Sequence, residues 1–117
     1  MLQLRTVVGL LDCEVACGEA ALDTPVSTCY AADLMSDVLA FSTPDALLVT
    51  GLTSVQSVHT AHVADCVGIV FVSGKRPSPE ALQLARDMSI PLLSTARGMF
   101  EACGILSRYG LVGSARA

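Results

Sequence analysis

The second half of the chain alternates between short apolar runs and segments with helical spacing, and this alternation limits the folds that are open to it. The apolar runs read ALLVTG at 46–51, VGIVFVSG at 67–74 and IPLLST at 90–95. Their apolar residues are nearly continuous, which is typical of strands buried on both faces of a parallel sheet. Helices between successive strands are typical of the same class. We therefore predict a compact single α/β domain with a mostly parallel sheet flanked by helices.

Recognisable end signals mark three predicted helices, which span 54–65, 78–89 and 98–110. Ser54 and Ser78 are of a residue type that favours the N-cap position. Pro79 then takes the first helical position and Gly110 closes the last helix, which are preferred places for these residues. Pro91 lacks the N–H that an interior strand position donates, so it predicts an edge strand or a strand start.

The first half of the chain is less regular. Apolar residues at helical spacing predict a helix over 2–12, with one face formed by Leu4, Val7, Val8 and Leu11. We further predict a strand at 13–17, a loop at 18–25, a β-prone segment at 26–31, a helix from Asp33 or Ser36 to about Ala40, and a turn at 42–45. The domain is expected to span 1–117, with its core at about 4–110 and a loose tail from 111 onward.

Composition excludes several classes of function. Hydrophobic residues make up 52% of the 117 residues, charged residues 15%, and the net charge is −4. The apolar surplus is typical of a buried sheet, a subunit interface or both, whereas the negative charge argues against binding to nucleic acid or to a membrane. No apolar run reaches the roughly 20 residues of a membrane-spanning helix. The first apolar run breaks at Asp12, so we interpret it as a helix rather than a signal peptide and expect a cytoplasmic protein.

Cysteine and histidine offer no strong site. Five cysteines occur without a CxxC pair, at Cys13, Cys17, Cys29, Cys66 and Cys103. In a cytoplasmic chain they are expected to be small buried hydrophobes, and none shows the neighbouring cation that would polarise a nucleophilic thiol. His59, His62 and Cys66 would share a face, as metal ligands require, only if one helix ran through all three. That helix is predicted to end near Asp65, so we expect no metal, no cofactor and no catalytic residue.

The segment SGKRPSP at 73–79 superficially resembles a phosphate-binding loop. The Walker pattern needs four residues between its glycines and a Ser or Thr after the Lys. Here five residues separate Gly68 from Gly74, and Arg76 follows Lys75. The segment is therefore not a nucleotide-hydrolysing loop, although Lys75 and Arg76 remain either candidate phosphate contacts or plain exposed cations.

Polar residues cluster where the predicted strands end. In parallel α/β domains, ligands bind beyond the carboxyl ends of the strands, beside helix N-termini. This placement predicts a small anionic ligand, and the candidate contacts are Asp33, Ser36, Asp37, Thr50, Thr53, Gly74, Lys75 and Thr95. The structural alternative is that hydroxyls and glycines are simply what strand-to-helix turns require.

Asp33 and Asp37 interrupt the apolar stretch CYAADLMSDVLA and allow two interpretations. Four residues apart on one helix, two carboxylates lie side by side, where they share a proton or hold a metal. At the start of a helix they would instead favour its positive end, with Asp33 or Ser36 capping free N–H groups. We favour capping, with ligand contact at the same helix end left open.

The segments DTPVSTCYAADLMSDVLA at 23–40 and 46–95 together resemble a DRTGG domain, and the likeness extends from about Leu4 to Gly110. The stretch PSPEALQLARDMSIPLLST also resembles the N-terminal, non-kinase domain of HPr kinase/phosphorylase. Asp23, Asp33, Ser36 and Asp37 match the family pattern. The signature itself has drifted: Thr24 replaces its Arg, Ser27 its Thr, and two glycines are replaced by Thr28 and Cys29.

The resemblance implies a regulatory or interaction module without an established set of catalytic residues. Such domains stand beside CBS domains in nucleotide-regulated pyrophosphatases, in some phosphotransacetylases, and alone in small proteins encoded near iron hydrogenases and sensor kinases. Dimerisation is common among them. We therefore expect a homodimeric ligand-sensing module whose ligand is an adenine nucleotide or a similar small anion. The alternatives are an interaction subunit for a redox enzyme or sensor kinase, and a small enzyme using Asp33 and Asp37 or using His59 and His62.

Overall fold

A computed structural model describes residues 2–114 and shows a single α/β domain. Its helices are Leu4–Leu11 (α1), Met35–Phe41 (α2), Val55–Val63 (α3), Pro79–Met88 (α4) and Met99–Arg108 (α5). Its strands are Leu2–Gln3 (β1), Glu14–Cys17 (β2), Pro25–Val26 (β3), Thr28–Ala31 (β4), Leu47–Thr50 (β5), Gly68–Phe71 (β6), Leu92–Ser94 (β7) and Val112–Gly113 (β8). A short 3₁₀ turn occupies Glu19–Ala21 in the predicted loop.

Six strands form the main sheet in the order β2-β7-β6-β5-β4-β8. All neighbouring pairs are parallel except β2 with β7, which is antiparallel. The predicted mostly parallel sheet is therefore confirmed. Pro91 immediately precedes β7, an interior strand, so the strand-start reading of this proline is right and the edge-strand reading is wrong.

Helices cover both faces of the sheet. On β5, Leu47 and Val49 pack in one apolar cluster with α1 and α5, while Leu48 packs in a second cluster with α2, α3 and α4. Successive strand side chains point to opposite faces, so a strand buried on both faces must be apolar at nearly every position. This arrangement is the physical reason for the continuous apolar runs in the sequence.

The capping predicted from sequence is present at the start of α4 but absent at the starts of α3 and α2. At α4, the Ser78 hydroxyl accepts a hydrogen bond from the Ala81 N–H, at 3.1 Å, and Pro79 is the first helical residue, both as predicted. Ser54 stands at the N-cap of α3, but its side chain makes no capping hydrogen bond. The predicted capping of α2 is wrong, because its N-cap residue is Leu34 and no side chain caps it.

Residues near both limits of the described range 2–114 form more secondary structure than the sequence suggested. Residues 2–3 form β1, which pairs with β3 in a small antiparallel sheet, and α1 begins only at Leu4. In the tail, β8 pairs with β4, and the Ser114 hydroxyl accepts a hydrogen bond from the Thr43 N–H at 2.8 Å. The expectation of a loose tail is therefore wrong for 111–114, and 115–117 lie outside the described residues.

Over the described range 2–114, none of the helices has both the length and the apolar character that crossing a bilayer requires.

Candidate functional site

The loops after β4, β5, β6 and β7 meet at one rim of the sheet, which we call the carboxyl edge. Helices α2, α3 and α4 follow the first three of these strands and pack on one face, whereas α5 follows β7 and packs on the other. The crevice at such a reversal is the usual ligand site of open α/β sheets. Here two backbone hydrogen bonds join the loop after β6 to the loop after β7 across this crevice. The Ser73 N–H donates to the Arg97 carbonyl at 2.7 Å, and the Gly74 N–H donates to the Thr95 carbonyl at 2.9 Å. The open polar groups lie further along the edge, after β4 and β5.

Asp33 connects the loop after β4 to the end of β5. Its Oδ1 accepts hydrogen bonds from the Gly51 N–H at 2.7 Å and from the Thr50 hydroxyl at 3.1 Å. The Thr50 hydroxyl in turn accepts a hydrogen bond from the Leu52 N–H at 3.1 Å. Asp33 thus orders the turn that follows β5 instead of capping the helix that follows it in sequence.

Lys75 completes this group. Its Nζ lies 3.2 Å, and Asp33 Oδ1 3.4 Å, from the place where a Cβ on Gly51 would stand, so the ammonium and the carboxylate flank the same glycine. A glycine at this position leaves room for both groups. We call Asp33, Thr50, Gly51 and Lys75 the Asp33 cluster.

The other two cations of the edge are engaged in ion pairs. Arg76 pairs with Glu14, with an NH1 to Oε2 distance of 2.5 Å, and Arg97 pairs with Glu101 at 2.9 Å. Lys75 makes no ion pair within 4.0 Å in the described part of the chain. Among these three basic residues, Lys75 is therefore the one whose charge is available to a ligand.

The remaining predicted contacts lie on several other elements. Ser36 is exposed on α2, and Thr53 lies before α3, where its carbonyl accepts a hydrogen bond from the Ser78 N–H at 3.0 Å. Gly74 is exposed in a tight turn with a φ of 71°. Thr95 is only 1% exposed, and its hydroxyl donates to the Leu11 carbonyl at 2.6 Å, so it fastens α1 to the sheet.

Ser94 is a polar residue at the carboxyl edge that the sequence analysis did not select; it selected the neighbouring Thr95 instead. It is 8% exposed, and its Oγ finds no hydrogen-bond partner within the described residues. Leu93 packs with α1 and α5, so by strand alternation Ser94 faces the α2–α4 side, as Thr50 does. Side chains alternate between the two faces of a strand, so the predicted strand 90–95 already implied that Ser94 and Thr95 face opposite sides of the sheet.

The two aspartates of the apolar stretch do not share one helix. Asp33 lies before α2, whereas Asp37 is in its first turn, where the positive end of the helix favours a carboxylate. The side-by-side arrangement that a shared proton or metal would need on one helix is therefore absent.

Asp33→Ala is expected to lower the free energy of unfolding by about 1 kcal/mol, because the Gly51 N–H and the Thr50 hydroxyl lose a charged acceptor at an exposed site. Asp33→Asn should cost less, since an amide oxygen can still accept. Urea unfolding measures both changes. Asp37→Ala is the matched control and should cost only a few tenths of a kcal/mol. If it costs as much as Asp33→Ala, the assignment of the structural role to Asp33 is wrong.

The two histidines that were considered as metal ligands are not part of a metal centre among the described residues. His59 and His62 are exposed on α3, and Cys66 follows the end of that helix. Among residues 2–114, no group of three or more His, Cys, Asp or Glu side chains is arranged to hold a metal ion.

Burial is the largest cause of the raised pKa values of Cys13, Cys17 and Cys66. Burial, with a smaller effect from the neighbouring Asp12, raises the pKa of Cys13 to about 11, and burial together with Asp65 does the same for Cys66. Burial is also the main cause of the raised pKa of Cys17. These three behave as the expected apolar packing residues, although of the three only Cys17 is fully buried. Cys29 and Cys103 differ and are treated below.

Comparison with known proteins supports the fold. The chain superposes with a TM-score of 0.74 on a crystal structure of the CBS and DRTGG domains of the regulatory region of Clostridium perfringens pyrophosphatase, complexed with the activator diadenosine tetraphosphate. The match has 15% sequence identity and covers 93% of this chain but half of the other. This likeness concerns the fold alone and supports a DRTGG-related architecture. No family profile and no curated protein sequence matches the chain.

The positions compared above with the DRTGG signature lie in two different settings. Asp23 pairs with Arg5 on α1 at 3.1 Å. Thr28 and Cys29 lie within β4, where a strand accommodates side chains.

Proposed function

We propose that the chain is a regulatory module that binds a small anionic ligand, a nucleotide in the first place, at the Asp33 cluster. The observation that carries the proposal is the Lys75 ammonium, which lies beside Gly51 and Asp33 without an ion-pair partner in the described structure. Ser36, Asp37, Thr53 and Gly74 are further candidate contacts around it.

A phosphate group suits the cationic part of this edge. Lys75 supplies a point charge, and α3 begins at Val55, just after the Gly51 turn, with no side chain capping its N-terminus. Uncapped N–H groups at a helix start favour an anion. The cation and the helix start together complement a phosphate better than either does alone.

A sugar hydroxyl suits the acidic part. Asp33 Oδ1 already accepts two hydrogen bonds, whereas Oδ2 makes none to the described residues. A carboxylate oxygen in this position can accept a hydrogen bond from a ribose hydroxyl, as acidic residues of dinucleotide-binding folds do. A ligand that carries both phosphate and hydroxyl groups therefore fits the mixed charges of the cluster.

Adenine nucleotides are the ligands to test first, since the structural neighbour is a regulatory region complexed with diadenosine tetraphosphate. Isothermal titration calorimetry with AMP, ATP and diadenosine polyphosphates should show saturable binding to at least one of them. The absence of heat with all of them would contradict the proposal for adenine nucleotides.

Lys75→Ala is expected to weaken that binding about tenfold or more, because it removes a charge-assisted contact worth roughly 1.5 kcal/mol or more. Lys75 is exposed, so the free energy of unfolding should stay nearly unchanged. Arg108→Ala is the matched control, since it removes an exposed cation from the end of α5. Equal weakening by both variants would indicate a general charge effect and would overturn the proposed site.

A second candidate function, binding to a partner protein or to a second copy of the chain, is favoured by exposed apolar side chains on two neighbouring helices. On or beside α2 and α3 they are Leu34, Leu39, Phe41, Val55 and Val63, each more than one-third exposed. Such clustering is typical of interaction surfaces. Light scattering on the purified chain tests the homodimer, and pull-down with the chain tests a stoichiometric partner.

An enzyme based on Asp33 and Asp37 has less support. The Asp33 carboxylate is committed to ordering the β5 turn, and the two aspartates are on different elements.

A further inference from the structure

Two thiols share one cavity on the opposite side of the sheet from α2–α4. Cys29 is on β4 and Cys103 is on α5, and both residues line that cavity. Both are free thiols and pack against the same apolar cluster. The sequence separates them by more than seventy positions, so only the packing of α5 on the sheet brings them together.

This thiol pair lines a cavity of about 620 Å³ between β4, β8 and α5. The cavity walls are mainly apolar and include Tyr30, Leu106 and Leu111. None of its described lining residues is charged. Its volume is within the usual range of small-molecule sites, so a small thiol-reactive compound has room to reach the sulfurs.

The two thiols affect each other's pKa unequally. The side-chain interaction with Cys29 lowers the pKa of Cys103 to about 7, against the opposing effect of burial. The same interaction, together with burial, raises the pKa of Cys29. A thiolate rather than a thiol is the nucleophile in thiol chemistry. Cys103 therefore has the character of an attacking thiol, with Cys29 placed to act second.

We propose that Cys103 and Cys29 form a thiol–disulfide exchange site that reacts with small, uncharged disulfides, since the cavity lining is mainly apolar and without charge. In the first step the Cys103 thiolate attacks the disulfide, a new S–S bond forms at Cys103, and one small thiolate leaves. In the second step Cys29 attacks the Cys103 sulfur and its proton passes to the second departing thiolate. The protein loses two thiol hydrogens and two electrons, and the small disulfide is reduced to two thiols.

The second step is favoured by the first. The negative charge on Cys103, which holds the proton on Cys29, disappears once Cys103 is in a mixed disulfide. The resulting bond would join β4 to α5 and close one wall of the cavity. Because β4 leads directly to Asp33, the bond would also restrain the strand that presents the Asp33 cluster, but the exchange chemistry does not depend on ligand binding there.

The test treats the full chain with 2-hydroxyethyl disulfide at neutral pH and follows intact mass and disulfide-linked peptides over time. The wild type should lose two hydrogens and yield a Cys29–Cys103 peptide pair. Cys29→Ser should stop at one hydroxyethyl-disulfide adduct on Cys103. Adduct formation at Cys103 should be on the order of 50-fold faster than at Cys66, since the larger thiolate fraction outweighs the lower intrinsic nucleophilicity.

Two further variants complete the test. Cys103→Ser should abolish the fast reaction, and Cys66→Ser, a matched control at another partly buried thiol, should leave it unchanged. Circular dichroism and urea unfolding verify that each variant is folded. Adducts spread evenly over all the cysteines, or a stable mixed disulfide in the wild type, would overturn the proposal.

Discussion

Phe71→Ala is expected to lower the free energy of unfolding by about 3–5 kcal/mol, the usual cost of truncating a fully buried phenylalanine. Phe71 has no exposed surface and lies on β6, an interior strand, where it packs in the cluster with α2, α3 and α4. The lost transfer free energy and the cavity left behind both contribute. Since domains of this size are stable by only about 5–15 kcal/mol, the variant should unfold at much lower urea concentration.

Phe100→Ala is the control for the same chemical change. Phe100 is 93% exposed on α5, so its truncation removes no buried surface and should change the free energy of unfolding by no more than about 0.5 kcal/mol. Chemical denaturation of both variants, followed by circular dichroism, gives the comparison. A similar destabilisation by the two changes would show that β6 is not packed as described.

Gly18→Ala is the second change with a large expected effect, about 2–4 kcal/mol of destabilisation. Gly18 has a φ of 89°, in the left-handed region, and a Cβ there would stand 2.5 Å from the Pro91 Cα. The added methyl therefore meets backbone, which cannot rotate away as a side chain can. Relief of the clash requires separation of the segments that lead out of β2 and into β7, where Cys17 pairs with Leu92.

Gly74→Ala separates the cost of the positive φ from the cost of the clash with the Pro91 backbone. Gly74 also has a positive φ, 71°, but a Cβ would meet nothing within 4 Å. Only the backbone strain should remain, about 1 kcal/mol. Thermal unfolding of the two variants side by side measures the difference, and equal losses would show that the approach to Pro91 is not responsible for the effect at Gly18.

Most of the fold was open to prediction because it depends on local patterns. Continuous apolar runs indicated strands buried on both faces, and residues 46–110 contain the expected alternation of β5, β6 and β7 with α3, α4 and α5. Elements of two residues, β1, β3 and β8, were not predicted as separate strands, because a strand that short is defined by its partner rather than by its own composition.

The candidate site was predicted only as a region. The carboxyl ends of neighbouring parallel strands meet at one edge of the sheet, so Asp33, Thr50 and Lys75 could be assigned to that edge from sequence. The contacts that these residues make could not be predicted from sequence. The sequence predicts that Asp33 or Ser36 caps the next helix, whereas the Asp33 carboxylate accepts hydrogen bonds from Thr50 and Gly51 at the end of β5, seventeen and eighteen positions away.

The sequence by itself determined the class of fold, the two buried faces of the sheet and the edge at which polar groups gather, because these follow from residue periodicity and connection length. Only the tertiary structure decided that the Thr95 hydroxyl donates to the Leu11 carbonyl while the Ser94 Oγ has no partner among the described residues. It also decided which of Lys75, Arg76 and Arg97 makes no ion pair with the described residues, and which two of the five thiols line one cavity. These outcomes depend on distances between elements far apart in sequence, and no local pattern encodes them.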